Sequence, residues 1–436
     1  MTCNPADYKN FQELVYNDDP SKTSTHSEQT DAVYTTLRFG FDDLKFPIEG
    51  NAGLRVVLTR DISHGYTIFE SKYSATTPPD LPRFDQLTQP IDVQNQFVKV
   101  LPSLNLKMNF TDRLQARLAM AQSMNRPGFN QLGEYIKLQQ NYDFDKKTVT
   151  YTGNNTGNVK LKPITANSFD LALEWYPRDG QSLTATAFHK DVKDVIMNSV
   201  YTRAYNSTGG NPQTFAITGP DNVGKAKVSG LEVAGMTYLD KLAFLDGVLP
   251  EWAKGIGVSA NYTYINAKQS LYKQIDNPYC DAGNAATNGG LHLFGCDTNG
   301  LPFKDLPLPY MAKNAYNFVL MYDRGPFSAR LAYNWHSRIL QSADANGTRG
   351  TDATSADPTR AGAQDVGWGL PTWQEAFGQW DAGMNYRFSD GFGVSLNVTN
   401  LNNVIVRQTQ QQHIGTMGRA WFYPGRSYSM SARYEF

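Results

Sequence analysis

The last eleven residues, Arg426–Phe436, read RSYSMSARYEF. Successive side chains of a strand point to opposite faces, so this stretch divides into one apolar face and one polar face. The apolar face holds Tyr428, Met430, Ala432, Tyr434 and Phe436. The polar face holds Ser427, Ser429, Ser431, Arg433 and Glu435. A strand that contacts lipid on one side and water on the other needs this pattern, so the stretch predicts a membrane-spanning β-strand.

The composition agrees with an all-β membrane protein. Aromatic residues make up 12% of the 436 residues and charged residues only 19%, with 40 Lys and Arg against 41 Asp and Glu. The chain has no run of about 18 apolar residues, so no helix spans a bilayer, but strands of a β-barrel alternate and build no such run. The near-zero net charge gives no argument for nucleic-acid binding.

Alternation with a period of two recurs along the chain and is punctuated by turn residues. Strong turns are predicted at Thr111-Asp112, Pro177–Gly180, Asp323–Pro326 and Ser389–Gly391. The alternating stretches are 33–41, 54–59, 103–110, 113–120, 169–175, 183–190, 225–238, 256–266, 316–322, 327–336, 380–388, 392–399 and 427–436. They predict about 13 antiparallel strands.

The connections between these strands are alternately short and long. Polar stretches near 63–95, 121–165, 191–224 and 271–310 separate tight hairpins. Structureless loops of that length count against a compact soluble domain, whereas outer-membrane barrels combine short periplasmic turns with long extracellular loops. A soluble sandwich would also alternate but would not explain loops on one side only. We therefore predict a transmembrane antiparallel β-barrel.

The odd strand count predicts the domain organisation. The last strand follows a long loop and ends on the periplasmic side, so with 13 strands the first also begins outside. Residues 1–30 are then the remnant of an extracellular loop, and residues 31–436 the C-terminal portion of a larger barrel, because bacterial single-chain barrels have even strand numbers. A fourteenth strand within residues 5–16 would reverse this inference.

Charged residues lie on the polar faces of the predicted strands. An Arg at mid-bilayer on the lipid face would cost about 2–4 kcal/mol, so this segregation matters. The predicted lumen charges are Arg113, Arg117, Arg330, Arg387 and Asp381. The arginines could line a path for anions or pair with carboxylates of the lumen or of a plug.

Aromatic residues near the predicted loops are candidate ligand contacts. Trp368 and Trp373 precede the strand that begins at Trp380, and Trp335 is followed by the lumen residue His336. An indole can stack on a sugar ring, but an interfacial aromatic girdle requires the same residue type, so both readings stay open. For His336 the alternatives are a solvated lumen histidine and a ligand contact.

Enzyme chemistry has no signal in the sequence. We find no nucleophile elbow, no H-E-x-x-H, no phosphate-binding loop and no C-x-x-C pair, and we predict neither catalysis nor a cofactor nor a resident metal. Cys280 and Cys296 lie in one Asn/Gly-rich stretch and could form a disulfide in an oxidising compartment or stay as loop thiols.

Five segments together resemble the TonB-dependent outer-membrane receptors. They are Ser123–Leu132 with Arg126-Pro127, Asn158–Pro163 (N-x-x-L-K-P), Gly230-x-Glu232, Asn397–Asn402, and the closing strand from Gly425 to Phe436. The sequences of these segments are most similar to a branch of the family associated with oligosaccharide uptake.

The resemblance implies a 22-stranded barrel with an N-terminal plug in the outer membrane of a Gram-negative bacterium. It also implies uptake of a scarce nutrient, oligosaccharide first and ferric siderophore next, with energy from TonB acting through the plug. Other implied partners are outer-membrane lipid and the barrel-assembly machinery, which would read the C-terminal strand. No plug or energy-coupling box is visible in the sequence, so we expect both to lie upstream or to be missing. An incomplete, porin-like structural barrel is therefore the alternative.

Overall fold

The computed structural model describes residues 23–71, 81–143, 148–272, 303, 306–346, 369–389 and 391–435. The predicted candidates Trp368, Cys280, Cys296 and Phe436 lie outside the described residues. The described part contains nineteen strands and one short α-helix, α1 (Phe129–Leu132). The strands are β1 (Thr25–Phe41), β2 (Ile48–Phe69), β3 (Leu87–Thr111), β4 (Leu114–Asn125), β5 (Ile136–Asp143), β6 (Thr148–Asn155), β7 (Ile164–Trp175), β8 (Ser182–Asn206), β9 (Pro212–Tyr238), β10 (Ile256–Leu271), β11 (Asn314–Arg324), β12 (Phe327–His336), β13 (Ile339–Asn346), β14 (Gly369–Gln374), β15 (Phe377–Ser389), β16 (Phe392–Thr399), β17 (Val406–Gln412), β18 (Gly415–Phe422) and β19 (Ser427–Tyr434).

The main sheet has fifteen strands. Apart from the hairpin β5–β6, its thirteen strands form an antiparallel meander in the order β1-β2-β3-β4-β7-β8-β9-β10-β11-β12-β15-β16-β19. Each of these strands therefore pairs with its neighbour in this order, which is the topology of an up-and-down barrel. We call these thirteen strands the wall. The nine further strands of a 22-stranded barrel stay a prediction.

Short turns join neighbouring strands at one end of the wall, near the positions predicted from the sequence. We call this the lower end and the opposite end the upper end. Asp112-Arg113, the segment 176–181, and Gly325-Pro326 separate the strands of three hairpins. Gly180 and Gly325 adopt φ angles of 78° and 56°, which side chains with a Cβ rarely adopt. The connection from β9 to β10 is longer and carries three short 3₁₀ helices, Leu239–Lys241, Ala243–Leu245 and Glu251–Gly255.

The upper ends of several strands extend far into stretches that the sequence analysis assigned to loops. β2 and β3 continue to Phe69 and back from Leu87, so most of the stretch 63–95 pairs as strands. β8 and β9 have 25 and 27 residues and meet at Ser207–Asn211, inside the stretch assigned to a loop up to about residue 224. The loop assignment was wrong there, because apolar residues are too few along these extensions to give a continuous alternating pattern.

The hairpin β5–β6 links two distant strands of the wall. β5 pairs in parallel with β2 at Thr67–Phe69, and β6 pairs in parallel with β9 at Thr152–Asn154. Strand pairing therefore runs in a closed circuit through β2, β3, β4, β7, β8, β9, β6 and β5. We call this circuit the upper ring.

An apolar cluster packs inside the upper ring. Phe215 is fully buried and contacts the rings of Phe84, Tyr151 and Tyr205 at centroid distances of 5.2–5.5 Å. The buried members of the cluster are Phe69, Phe84, Ile136, Leu138, Phe215 and Ile217.

A second sheet has four strands in the order β13-β14-β17-β18. In sequence, β13 and β14 lie between β12 and β15, and β17 and β18 lie between β16 and β19. We call it the mouth sheet. Its apolar core is small and is centred on Leu340 and Trp373, with Leu306 beside them. Among the described residues, no helix is long and apolar enough to cross a bilayer.

Candidate functional site at the extracellular mouth

Two rows of aromatic side chains on one face of the wall mark the membrane boundaries. The upper row contains a stacked pair, Tyr316 and Trp335, whose centroids are 5.0 Å apart, and Tyr333 at 4.7 Å from Trp380. The lower row contains Tyr322, Phe327, Tyr386, Phe388 and Phe392. Trp335 and Phe327 are eight residues apart on β12, which gives about 20 Å of height at a strand tilt of about 40°. This matches the apolar band of a barrel flanked by aromatic girdles.

The closing strand follows the same division. Tyr428, Met430 and Tyr434 of β19 are 65%, 74% and 62% exposed, and they lie on the face that the girdles mark as lipid-facing. The predicted ligand contact Trp335 lies on that face as well, in the upper girdle. A ligand inside the lumen does not reach this side of the sheet.

Four of the five predicted lumen charges, Arg117, Arg330, Arg387 and Asp381, lie on the opposite face. The fifth, Arg113, lies in the turn between β3 and β4, so its assignment to the lumen face was wrong. The Arg117 Nε lies 3.0 Å from Glu174 Oε1, across the pair β4–β7. The Arg113 guanidinium donates to the carbonyl oxygen of Pro177 at 2.6 Å, in the periplasmic turn. Arg117 therefore pairs with a carboxylate of the wall, whereas Arg113 bonds a backbone carbonyl. The role of these arginines in ligand passage stays a prediction.

Asp381 organises the upper end of β15. Its Oδ1 accepts hydrogen bonds from the Gln379 side chain and from the backbone N–H of Asn400, both at 2.8 Å. Asn400 has a positive φ of 59° and its side chain also donates to the carbonyl oxygen of Gly425 at 2.8 Å. The motif at Asn397–Asn402 thus ties the end of β16 to the start of the closing strand. Arg330 and Arg387 lie on the lumen faces of β12 and β15.

Two motifs from the sequence analysis meet inside the upper ring. The N–H of Asn158 donates to the carbonyl oxygen of Gln131 at 2.7 Å, and the Asn158 side chain donates to the carbonyl oxygen of Pro220. Leu132, Val159 and Leu161 are fully buried there. The segments Arg126–Leu132 and Asn158–Pro163 are therefore bonded to each other, and the second is bonded to β9 through Pro220 and Asn222.

A buried polar group lies beside these motifs, above the apolar band. His26 Nε2 and Asp61 Oδ1 are 3.6 Å apart, and their side chains are only 6% and 2% exposed. Burial raises the pKa of the Asp61 carboxyl, and the nearby charge of Glu28 raises it further. Glu28 is held by Arg126 at 2.5 Å. No sequence pattern reveals this group, because His26 and Asp61 lie on different strands and only the register of β1 and β2 brings them together.

The mouth sheet holds the remaining aromatic candidate, Trp373, and contacts His336 at the end of β12. Trp373 is 4% exposed, its indole N–H donates to Gln411 Oε1 at 2.9 Å, and the Arg338 guanidinium lies 4.3 Å from its ring centroid. The Gln374 side chain lies 3.5 Å from His336 Nε2, so the sheet joins Trp373 and His336 through consecutive residues. Trp373 is thus a core residue of the mouth sheet whose exposed partner is a cation.

Sequence reasoning missed the arginines of the mouth sheet. Arg338 and Arg419 are exposed, and Arg419 donates to Thr372 Oγ1 at 2.8 Å. Both contact the segment Thr372-Trp373, so two cations lie beside this aromatic core. Within the described part of the chain, no group of three or more His, Cys, Asp or Glu side chains is placed to hold a metal ion.

Solved structures support the fold. The ferric-catecholate import receptor Fiu of E. coli K12 matches with a TM-score of 0.50 at 16% identity, covering 94% of this chain and 45% of that one. A mutant of the ferric enterobactin receptor PfeA of Pseudomonas aeruginosa matches with a TM-score of 0.51 at 18% identity, covering 95% and 54%. The chain thus spans about half the length of these receptors.

Sequence comparisons identify the family. The ferric enterobactin receptor of Pseudomonas aeruginosa is 31% identical over 134 residues, which are 30% of this chain and 17% of that receptor. The family model of TonB-dependent receptor-like β-barrels matches residues 3–401. Barrels of this family are outer-membrane proteins of Gram-negative bacteria and serve transport. The chain belongs to the TonB-dependent receptors, as a match to their outer-membrane β-barrel.

Proposed function

We propose that the protein takes up a ferric siderophore through the outer membrane. The observation that carries the proposal is the 31% identity to a ferric enterobactin receptor over 134 residues. The relatives named above are receptors for ferric chelates by name. Their names favour an iron complex as the cargo over the oligosaccharide that the sequence motifs suggested.

The chemistry of the mouth sheet supports this cargo. Catecholate groups around Fe³⁺ leave a complex with net negative charge and flat aromatic faces. Arginine suits both features, because its guanidinium pairs with anionic oxygens and stacks on aromatic rings. Arg338 and Arg419 offer these groups at the exposed rim of the mouth sheet, with His336 below them.

Energised release into the periplasm would follow from TonB acting on a plug inside the barrel. The lumen wall is suited to such a domain, because it presents neutralised pairs such as Arg117–Glu174 rather than a single sign of charge. Binding alone moves nothing; transport requires a ligand affinity that differs between the closed and open states.

The test is a titration of the purified protein in detergent with a ferric catecholate, followed by tryptophan fluorescence, beside the same titration with a linear oligosaccharide. We expect saturable quenching by the ferric chelate and none by the sugar. Replacing Arg419 by Gln removes a charge-assisted contact and should weaken binding about tenfold or more. Arg178→Gln is the matched control, because Arg178 donates to the carbonyl oxygen of Lys241 on the periplasmic side.

Saturable binding of the oligosaccharide without binding of the ferric chelate would refute the proposal. Uptake of radioactive iron into cells, with and without a protonophore, separates active transport from passage through a passive barrel. Uptake that is unchanged by the protonophore would favour the porin-like alternative.

A further inference from the structure

The connection between β9 and β10 is built differently from the short turns at the lower end of the wall. It spans residues 239–255 and carries three short 3₁₀ helices. Its side chains Phe244, Val248 and Trp252 are 77%, 75% and 63% exposed. We call residues 239–255 the lower loop. Large apolar side chains are unfavourable in water, so three of them on one connection indicate an apolar partner.

A tight turn defines the backbone at the tip of the lower loop. The N–H of Val248 donates to the carbonyl oxygen of Leu245 at 3.2 Å, and Gly247 inside this turn has a φ of 75°. That φ lies in the left-handed region, which glycine adopts without strain. The N–H of Asp246 also donates to the carbonyl oxygen of Ala243, at 3.4 Å. The apolar side chains at the tip are therefore presented by an ordered turn.

The lower loop is attached to the outer face of the wall. The Arg324 guanidinium donates to Glu251 Oε2 at 3.2 Å. Arg324 follows Tyr322 of the lower aromatic row by two residues on β11, so both side chains point outward. Two residues of strand descend about 5 Å at a tilt of about 40°. A headgroup layer is about 5–8 Å thick, so this attachment lies within the headgroups of the periplasmic leaflet.

The charges of the lower loop are paired with one another on either side of the tip. Lys241 Nζ lies 3.3 Å from Asp240 Oδ2, and Lys254 Nζ lies 2.5 Å from Glu251 Oε1. Between these pairs, residues 242–250 contain one charged residue, Asp246. An apolar segment with neutralised flanks favours insertion among acyl chains over recognition of a charged headgroup.

The position of the lower loop in the wall decides which partner can cover it. Five strands lie between β9 and β1, and four lie between β10 and β19, so a strand added at either edge of the wall does not reach the loop. A domain inside the barrel would contact the lumen face, whereas Arg324 holds the loop on the outer face. The apolar phase that adjoins the loop is the membrane, which begins at the row that contains Tyr322.

We propose that the lower loop is a membrane anchor whose tip inserts into the periplasmic leaflet of the outer membrane. Acyl chains of phospholipids cover Phe244 and Val248. Trp252 lies at the boundary between headgroups and hydrocarbon, where indole side chains are favoured. The anchor fixes the depth of the middle of the wall in the bilayer. This inference uses the position of the membrane band and does not depend on the transported cargo.

The test is site-directed spin labelling of the protein in phosphatidylcholine vesicles. The background carries Ser in place of Cys3, Cys280 and Cys296, and one cysteine is then introduced by Val248→Cys or by Asp179→Cys. Asp179 is the matched control, because it is exposed in the neighbouring turn between β7 and β8, which is hydrogen-bonded to the lower loop. We expect the label at residue 248 to collide with oxygen, which concentrates in lipid, and to be shielded from a water-soluble nickel complex. The label at residue 179 should show the reverse.

Refolding into the same vesicles across a urea series supplies a second readout. Phe244→Asn removes apolar contact with lipid, so it should lower the folding equilibrium constant by about tenfold or more. The control Ile414→Asn changes a side chain that is 76% exposed in the turn between β17 and β18, and it should change the constant by about twofold or less.

Two results of the labelling would overturn the proposal. Equal access of the nickel complex to the labels at residues 248 and 179 would show that the tip lies in water, where a periplasmic protein could cover it. Shielding that appears only when the vesicles contain phosphatidylglycerol would show recognition of headgroup charge instead of apolar insertion. Equal effects of Phe244→Asn and Ile414→Asn on the folding equilibrium would also overturn it.

Discussion

The division of the wall into a lipid face and a lumen face can be tested at two consecutive residues. Leu331 lies on β12 midway between Trp335 of the upper girdle and Phe327 of the lower row, and it pairs with Leu320 and Ala382 on the outer face. Ala332 lies at the same height on the lumen face. Replacing each residue by Arg introduces the same charge at the same depth on opposite sides of one strand.

The expected costs differ by a large factor. An Arg at the bilayer midplane on the lipid face costs about 2–4 kcal/mol, which lowers the folding equilibrium constant by about 30- to 850-fold. In the lumen, Ala332 pairs in register with Asp381, so an Arg there meets water and a carboxylate and should change stability by about 1 kcal/mol or less.

The assay is refolding into phosphatidylcholine vesicles across a urea series, followed by tryptophan fluorescence and by heat-modifiable migration on a gel. The Leu331→Arg midpoint should shift strongly to lower urea, and the Ala332→Arg midpoint should stay near that of the wild type. Equal shifts, or a larger shift for Ala332→Arg, would refute the assignment of the two faces.

Three further perturbations test the packing above and within the membrane band. Phe215→Ala should destabilise the upper ring by about 3–5 kcal/mol, because Phe215 is fully buried among aromatic rings; hydrogen exchange should show lost protection in β5 and β6, and unchanged protection there would contradict the role of the cluster. The pKa of Asp61 is higher in the folded protein than in the unfolded chain, so folding favours its protonated form. The contribution of protonated Asp61 to the free energy of unfolding is therefore full below the unfolded-state pKa of about 3.9 and is lost as pH rises through the folded-state pKa. Protection of β1 should therefore fall over this pH range in the wild type and in the exposed control Asp31→Asn, but not in Asp61→Asn; a pH profile common to all three would show that another group is responsible. A Cβ at Gly378 would lie 2.2 Å from the Tyr333 hydroxyl, so Gly378→Val should cost about 1–3 kcal/mol, whereas Gly209→Ala, with no atom within 4 Å, should leave the thermal midpoint nearly unchanged, and equal midpoints would argue against tight packing in the upper girdle.

The membrane-embedded part of the fold could be predicted from the sequence, because every strand there contacts lipid on one face and water on the other. Lipid on one side and water on the other impose the alternation that is visible from Phe327 to Trp335 and from Tyr428 to Tyr434. Turn residues such as those at Pro177–Gly180 then separate the strands where a hairpin must close.

The strands of the extracellular part could not be predicted from the sequence, because tertiary contacts rather than a local pattern determine them. The upper halves of β8 and β9 have polar residues on both faces, and β17 reads VRQTQQQ, which has no apolar period at all. The cluster around Phe215 draws its members from β2, β5 and β9 and from Phe84 in the segment before β3, so no local window contains it. Likewise, Trp373 could not be separated from a ligand platform until the positions of Arg338 and Gln411 were known.

The hairpin β5–β6 has a mechanical consequence for the entrance. It joins β2 to β9 by two parallel contacts of three residues each, and the cluster around Phe215 packs behind it. Widening this side would separate those contacts and expose the aromatic cluster to water, so the free energy needed to open it is set largely by apolar area. The aperture on this side therefore behaves as a stiff frame, and a bulky solute must enter within the span that the frame leaves.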